Sequence, residues 1–171
     1  MKIKKLRNLI FASLFAAIIC LFNAVIRIPA PGGSGFLNIG DAFVIAGGMF
    51  LGPYGIASAV AGGVLSDIIT GFPVYVPASA LLKGFCALIV FLFCRNKKSP
   101  GKMIISSLIG EIVTAVGYFL YEYFILSLTE GAVVNIPFNL LQGVISILVA
   151  LIIYKPIKKI FKEQKNNERN I

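Results

Sequence analysis

Residues 36–73 of this 171-residue chain decide its fold class, and they read FLNIGDAFVIAGGMFLGPYGIASAVAGGVLSDIITGFP. The stretch is almost entirely apolar and rich in glycine and alanine, yet it contains Asp41 and Asp67. Small residues allow helix backbones to approach closely in a lipid bilayer, where packing drives association. A carboxylate inside a membrane span is costly, so each aspartate indicates a specific role such as ion pairing or ligand binding.

The rest of the chain has the same apolar character. Hydrophobic residues make up 58% of it and charged residues 13%, and the mean hydropathy is +0.91. These values exclude an ordinary water-soluble domain. Long apolar runs predict six membrane-spanning helices. The runs lie at about residues 9–26, 42–52, 54–70, 78–94, 103–128 and 137–160. We therefore predict an all-α integral membrane protein, a six-transmembrane-helix bundle at 1–160 followed by a cytoplasmic polar tail at 161–171.

The positive charges predict the orientation of this bundle. The net charge of +9 could indicate a nucleic-acid partner, so the location of the basic residues matters. All of them except Arg27 and Lys83 lie in the segments 2–7, 95–102 and 155–169. Six spans place these segments on one side, and the positive-inside rule makes that side the cytoplasm. Both termini are predicted to be cytoplasmic, and no nucleic acid is expected.

Several common signatures of enzymes are missing from the sequence. There is no histidine, the usual general base, and no GxxxxGK[ST] phosphate loop for ATP hydrolysis. The cysteines lack metal-ligand spacing, so we expect neither a metal nor a cofactor. Two alternatives stay open: a stand-alone membrane carrier, and an intramembrane aspartyl enzyme. The sequence NIGD around Asp41 departs from the GxGD of that enzyme class.

Polar residues of the predicted helices concentrate in the outer half of the membrane. An aromatic surface with a few convergent polar groups is typical of a small-molecule pocket, which here would open to the outside. Alternatively, Lys83 only pairs with carboxylates to neutralise the bundle interior. The candidate substrate-binding residues are Asn38, Asp41, Lys83, Tyr118, Tyr121, Glu122, Asn139 and Gln142.

The first predicted helix carries a stripe of small side chains. Ala12, Ala16, Cys20 and Ala24 recur at four-residue spacing and share one face. Such a face accepts another helix. That helix belongs either to the same bundle or to another membrane protein.

Residues 37–84, LNIGDAFVIAGGMFLGPYGIASAVAGGVLSDIITGFPVYVPASALLKG, identify a family resemblance. The sequence resembles the S components, the substrate-binding subunits, of energy-coupling factor (ECF) vitamin transporters, and the resemblance covers the whole chain. It implies a multi-pass protein of the bacterial cell membrane that captures a vitamin from outside. It also implies docking, through Ala12 and Ala16, on a transmembrane coupling protein (T component) that works with two cytoplasmic ATPases.

The resemblance also narrows the substrate. It is nearest to members that take up riboflavin, hydroxymethylpyrimidine or pyridoxine. Our first choice is pyridoxine or a hydroxymethylpyrimidine-like compound, with riboflavin as the alternative. Asp41 and Asp67 are then expected to organise the mouth of the pocket.

Overall fold

A computed structural model of the protein describes residues 2–29, 36–96 and 99–167. Within these residues the chain is almost entirely helical, which confirms the predicted all-α class. The elements are α1 (Lys2–Val25), β1 (Ile28–Pro29), β2 (Phe36–Leu37), α2 (Asp41–Leu51), α3 (Pro53–Ile69), a 3-10 turn (Pro73–Tyr75), α4 (Val76–Cys94), α5 (Pro100–Leu120), a π-helical turn (Tyr121–Ile125) and α6 (Thr129–Asn167).

Four helical stretches of the described chain are long and apolar enough to cross a membrane. They are Lys5–Val25, Pro73–Cys94, Pro100–Ile125 and Thr129–Glu163. The other two helices, α2 and α3, have 11 and 17 residues. At 1.5 Å per residue they reach roughly 17 and 26 Å, less than the hydrocarbon core of about 30 Å. Length and composition therefore support four of the six predicted spans.

The short helix α2 occupies the centre of the bundle. It packs against α1, α3, α4 and α6, and most of its side chains are buried. Gly52, at φ 59°, makes the tight turn into α3. A Cβ at Gly55 would lie 2.0 Å from the Gly47 carbonyl oxygen, so α2 and α3 touch through their backbones. This close contact lets two short helices pack as one hairpin inside the bundle.

The last helix begins earlier than its apolar run predicts. We expected it from about residue 137, but α6 starts at Thr129 and contains Pro137. The loss of one backbone hydrogen bond at proline is tolerated here, because the preceding turn is held by tertiary contacts. Ala132 is fully buried, and Asn135 donates a hydrogen bond of 3.0 Å to Glu122.

The far end of α6 also continues beyond the predicted limit of the membrane domain. The helix passes residue 160 and reaches Asn167. Phe161 stacks on Phe50 with ring centroids 5.4 Å apart, and it contacts Phe11 at 4.8 Å. The division into a domain at 1–160 and a tail at 161–171 stays a prediction.

The same contacts define the two ends of the bundle. The start of α1 and the end of α2 lie against the last turns of α6, which also border the start of α5. We call this the basic end, because the lysines of α6 lie there. At the opposite end, β1 and β2 pair antiparallel, with Ile28 opposite Leu37. The connecting residues 30–35 lie outside the described residues.

Candidate functional site

A polar cavity lies at the end of the bundle opposite the basic end. It forms where α1, α3 and α5 end and where α4 and α6 begin. The space that the centre of a water-sized sphere can reach is about 80 Å³. Its walls combine amide, carboxylate, hydroxyl, cationic and aromatic groups, as small-molecule sites do. The lining residues are Asn23, Arg27, Phe36, Asn38, Ser66, Asp67, Phe72, Tyr75, Ser79, Lys83, Tyr118, Glu122, Asn139 and Gln142.

A buried ion pair forms one wall of the cavity. Lys83 of α4 donates a hydrogen bond to Oδ1 of Asp41, the first residue of α2, and the two residues are 3% and 2% exposed. Gln142 of α6 donates to the other Asp41 oxygen at 2.6 Å. Its own Oε1 accepts the backbone N–H of Asn38 at 2.8 Å. Since a buried charge is tolerated only when it is paired and hydrogen-bonded, these contacts fix α2, α4 and α6 relative to one another.

Glu122 projects into the cavity from the π-helical turn. Leu126 donates its N–H to the Tyr121 carbonyl at 3.1 Å, five residues back, so the helix is locally widened. The Glu122 carboxylate is 2% exposed and accepts hydrogen bonds from Tyr75 at 3.2 Å and Asn135 at 3.0 Å. The turn thus places an acidic group among donors from α6 and from the 3-10 turn.

Two tyrosines provide an aromatic wall. The hydroxyl of Tyr118 shares a hydrogen bond of 2.7 Å with Ser79 of α4. The rings of Tyr118 and Tyr75 are 6.4 Å apart and tilted by 52°. A flat ring bound in the cavity would meet at least one of these aromatic faces.

Arg27 and two phenylalanines cover the loop side of the cavity. The Arg27 guanidinium lies 4.7 Å from the ring centre of Phe36 and 5.4 Å from that of Phe72, within cation–π range. The two rings meet edge to face at 5.1 Å. Partial burial lowers the pKa of Arg27, whereas the nearby Asp67 raises it. Arginine nevertheless stays charged in proteins, so this side of the cavity carries a fixed positive group.

Two buried acceptor atoms in the cavity lining have no hydrogen-bond partner in the described structure. They are Oδ1 of Asn23 and Oδ2 of Asp67. The Asn23 amide nitrogen donates to Ser66 at 3.3 Å, which leaves the oxygen of that amide unused. Buried polar groups are normally satisfied, so these two acceptors are exceptions, and the Asn23 oxygen lies against Gly40.

The comparison with known families identifies the chain. The sequence model of the family described as "ECF-type riboflavin transporter, S component" matches residues 3–159. The chain belongs to this family. It is therefore the substrate-binding subunit of an ECF importer, and its family is one of transport proteins.

A solved structure and a sequence relative are also similar to this chain. The S component resembles a chain described as "Structure and mechanism of the S component of a bacterial ECF transporter" with a TM-score of 0.75. The match covers 92% of this chain and 99% of the other at 24% identity, which establishes a shared fold. A Pyrococcus woesei protein named "Uncharacterized protein in gap 3'region" is 30% identical over 128 residues, 73% of this chain and 84% of the relative.

In this S component most of the predicted substrate-binding residues converge on one cavity. Six of the eight line it, and Asp41 lies directly behind Lys83 and Gln142. Tyr121 lies elsewhere: its hydroxyl donates to the Val74 carbonyl at 2.6 Å, and it borders a separate apolar groove. Tyr121 is the first residue of the π-helical turn. The six are Asn38, Lys83, Tyr118, Glu122, Asn139 and Gln142.

The predicted docking residues pack inside the S component in this structure. Ala12 and Ala16 are each only 9% exposed, and α1 packs extensively on α3. A Cβ at Gly62 of α3 would lie 2.8 Å from the Ala16 carbonyl oxygen. This arrangement corresponds to the alternative in which the stripe contacts its own bundle. Docking through Ala12 and Ala16 stays a prediction.

The sequence analysis missed several residues of the cavity. Asn23 could have been noticed, because it is a polar residue near the outer end of an apolar helix, as Glu122 is. Arg27, Phe36 and Tyr75 lie in connections whose three-dimensional position no helical period specifies. Within residues 2–29, 36–96 and 99–167, no cluster of His, Cys, Asp and Glu is arranged to hold a metal ion.

Proposed function

We propose that this S component binds a single-ring nitrogen heterocycle, pyridoxine or a hydroxymethylpyrimidine-like compound, in the polar cavity. The observation that carries this proposal is a small cavity with many polar groups. The centre of a water-sized sphere can reach only about 80 Å³ of it. One substituted ring fits such a space more readily than the fused three-ring system of riboflavin does.

The polar groups of the wall suit the substituents of such a ring. Asn23 and Asp67 line the wall and carry acceptor groups for hydroxyl or amino donors. The Asn139 amide can donate to a ring nitrogen, and the Glu122 carboxylate can accept from a hydroxyl group. In place of Tyr121, the cavity offers Tyr75 beside Tyr118 as an aromatic face.

Gln142 has a different place in the proposed site. Its oxygen and one of its amide hydrogens already bond Asn38 and Asp41, so only one N–H is left for a ligand. We expect it mainly to orient Asp41 and the Asn38 loop. Lys83 acts as the ion-pair partner of Asp41 rather than as a Schiff-base former.

Mass spectrometry of small molecules retained through detergent purification tests the choice of ligand. We expect a pyridine or pyrimidine compound. Titration calorimetry should then show affinity losses of about ten- to a hundredfold for Asn139→Ala, Gln142→Ala and Glu122→Gln, because each leaves a polar partner unpaired. Unchanged dissociation constants for all three variants would show that the ligand binds elsewhere.

Riboflavin is the second candidate, and the description of the matching family favours it. It would need the loop side of the cavity, around Arg27, Phe36 and Phe72, to open further. Its colour makes the test direct. A purified protein that is yellow and releases flavin on denaturation would replace our first choice, whereas a colourless protein that binds pyridoxine would support it.

The proposed topology has six spans, both termini in the cytoplasm and the cavity facing outward, in a bacterial cell membrane. The supporting observation is that the basic residues of α6 lie at the end opposite the cavity. The buried start of α2 explains how a helix of 11 residues is accommodated, since its polar end meets protein rather than lipid. Cysteine labelling of intact cells tests this: a single cysteine at exposed Val74 should react from outside, and one at exposed Lys162 should not.

We further propose that transport requires a T component and two ATPases. The chain has no phosphate loop of its own, so an energy source must be supplied by partners. Both Asp41 oxygens are bound by Lys83 and Gln142, which argues against an aspartyl dyad. Accumulation of vitamin against a gradient by the isolated chain in proteoliposomes would favour the stand-alone carrier instead.

A further inference from the structure

Another concave surface lies at the basic end, between the start of α5 and the last turns of α6. This groove has a volume of about 550 Å³. Its inner part is apolar, and its rim consists of lysines. It is lined by Pro100, Met103, Leu151, Tyr154, Lys155, Lys158, Lys159 and Lys162.

The four lysines present one continuous positive face. They follow one another at i, i+3, i+4 and i+7, the spacing of a single side of a helix, and all are exposed. Glu163 is the one acidic group that forms an ion pair with them in the described chain. It lies 3.9 Å from Lys159, with both side chains largely in solvent. The groove therefore keeps a strong positive charge.

The groove is also positioned at the surface of the membrane. Residues 131–154 of α6 carry no charge, and at 1.5 Å per residue they span about 36 Å, enough to cross the hydrocarbon core. Lys155 is the first charged residue after this stretch, so the lysines lie at the level of the lipid headgroups. Tyr154 occupies the boundary, and Lys158 lies 5.6 Å from its ring.

We propose that this groove is a binding site for one anionic phospholipid. The lysines of α6 hold the phosphate and the acidic headgroup, and an acyl chain follows the apolar floor at Met103 and Leu151 toward the bilayer. The neighbouring side chains Leu148 and Ile152 are 57% and 73% exposed, so the apolar path continues on the outer surface of α6. A soluble phosphate would use the lysines but not this floor.

Titration calorimetry in detergent with dioctanoyl phosphatidylglycerol tests the proposal. Dioctanoyl phosphatidylcholine serves as the uncharged control and glycerol phosphate as the headgroup without chains. We expect dioctanoyl phosphatidylglycerol to bind most tightly of the three. Lys158→Gln with Lys162→Gln should weaken it about thirtyfold, from a factor of roughly five for each lysine near an anionic lipid. Lys158→Arg with Lys162→Arg keeps both charges, so this variant should bind phosphatidylglycerol as the unmodified protein does.

The matched control is Lys5→Gln with Arg95→Gln, which removes the same charge from exposed side chains outside the groove. An equal loss in this control would show general attraction and overturn the specific site. If glycerol phosphate bound as tightly as phosphatidylglycerol, the groove would be only an anion site. If phosphatidylcholine bound as tightly, the groove would not recognise charge. Either result overturns the proposal. The proposal would also be overturned if the glutamine variants bound phosphatidylglycerol normally yet failed to assemble with the T component and ATPases. The groove would then face an acidic protein. If the glutamine pair does not fold, the three probes on the unmodified protein still decide.

Discussion

Replacing Lys83 by methionine should destabilise the protein more than any other single change in the cavity. Methionine has a similar length but no charge, so Asp41 would stay buried with Gln142 as its remaining side-chain partner. Asp41 is 2% exposed, so its carboxylate would lose its charge partner in a largely buried place. Breaking a buried pair in this way typically costs about 3–5 kcal/mol.

The loss can be measured as a shift of the melting temperature in detergent without ligand. For a chain of this size each kcal/mol corresponds to about 2–4 °C, so we expect a decrease of roughly 6–20 °C. Asp41→Asn combined with Lys83→Met removes both charges and should recover a large part of this loss. Lys5→Met, at an exposed position, should leave the melting temperature unchanged.

The double variant provides the decisive comparison. If the two charges stabilise each other, its destabilisation is much smaller than the sum of the two single changes. Simple additivity would refute the reasoning, because it would mean that each side chain acts through other contacts. Fluorescence-detected unfolding and circular dichroism should give the same order of variants.

Three further changes test packing and the site. Gly55→Ala should lower the melting temperature strongly, because its Cβ would meet the backbone of α2 at 2.0 Å. Gly101→Ala has free space and should leave the melting temperature unchanged. Equal melting temperatures of the two variants would contradict the α2–α3 contact. Ala16→Leu should destabilise the isolated protein by about 1–3 kcal/mol through overpacking against α3, whereas Ala17→Leu, at an exposed position, should not. If Ala16→Leu left the stability intact but prevented complex assembly, the result would support docking through Ala16. Tyr75→Phe removes a hydrogen bond of 3.2 Å to the cavity carboxylate and should weaken ligand binding in calorimetry about tenfold; an unchanged dissociation constant would place the ligand away from this wall.

Composition and periodicity were sufficient for the coarse architecture. Apolar runs predicted an all-α membrane protein, and four of the six predicted spans are long and apolar enough to cross a membrane. The predicted start of α6 was wrong, because the helix begins at Thr129 and continues through Pro137. A proline stops a helix only if no tertiary contact compensates, and the contact of Asn135 with Glu122 is not visible in the local sequence.

The sequence by itself also determined which side chains needed an explanation. Asp41, Lys83, Glu122 and Gln142 are polar in apolar surroundings, and the cost of burying them predicts that they meet. Asp41, Lys83 and Gln142 do meet and link three helices, whereas Glu122 bonds Tyr75 and Asn135 at another wall of the cavity.

Only the tertiary structure decided which faces oppose one another. Helical periodicity defines the residues that share a face of one helix, but not the helix that packs against it. For that reason the stripe at Ala12 and Ala16 could face a partner or α3, and the fold places it on α3. Likewise, only the fold shows that Glu122 lines the cavity whereas its neighbour Tyr121 borders a separate apolar groove.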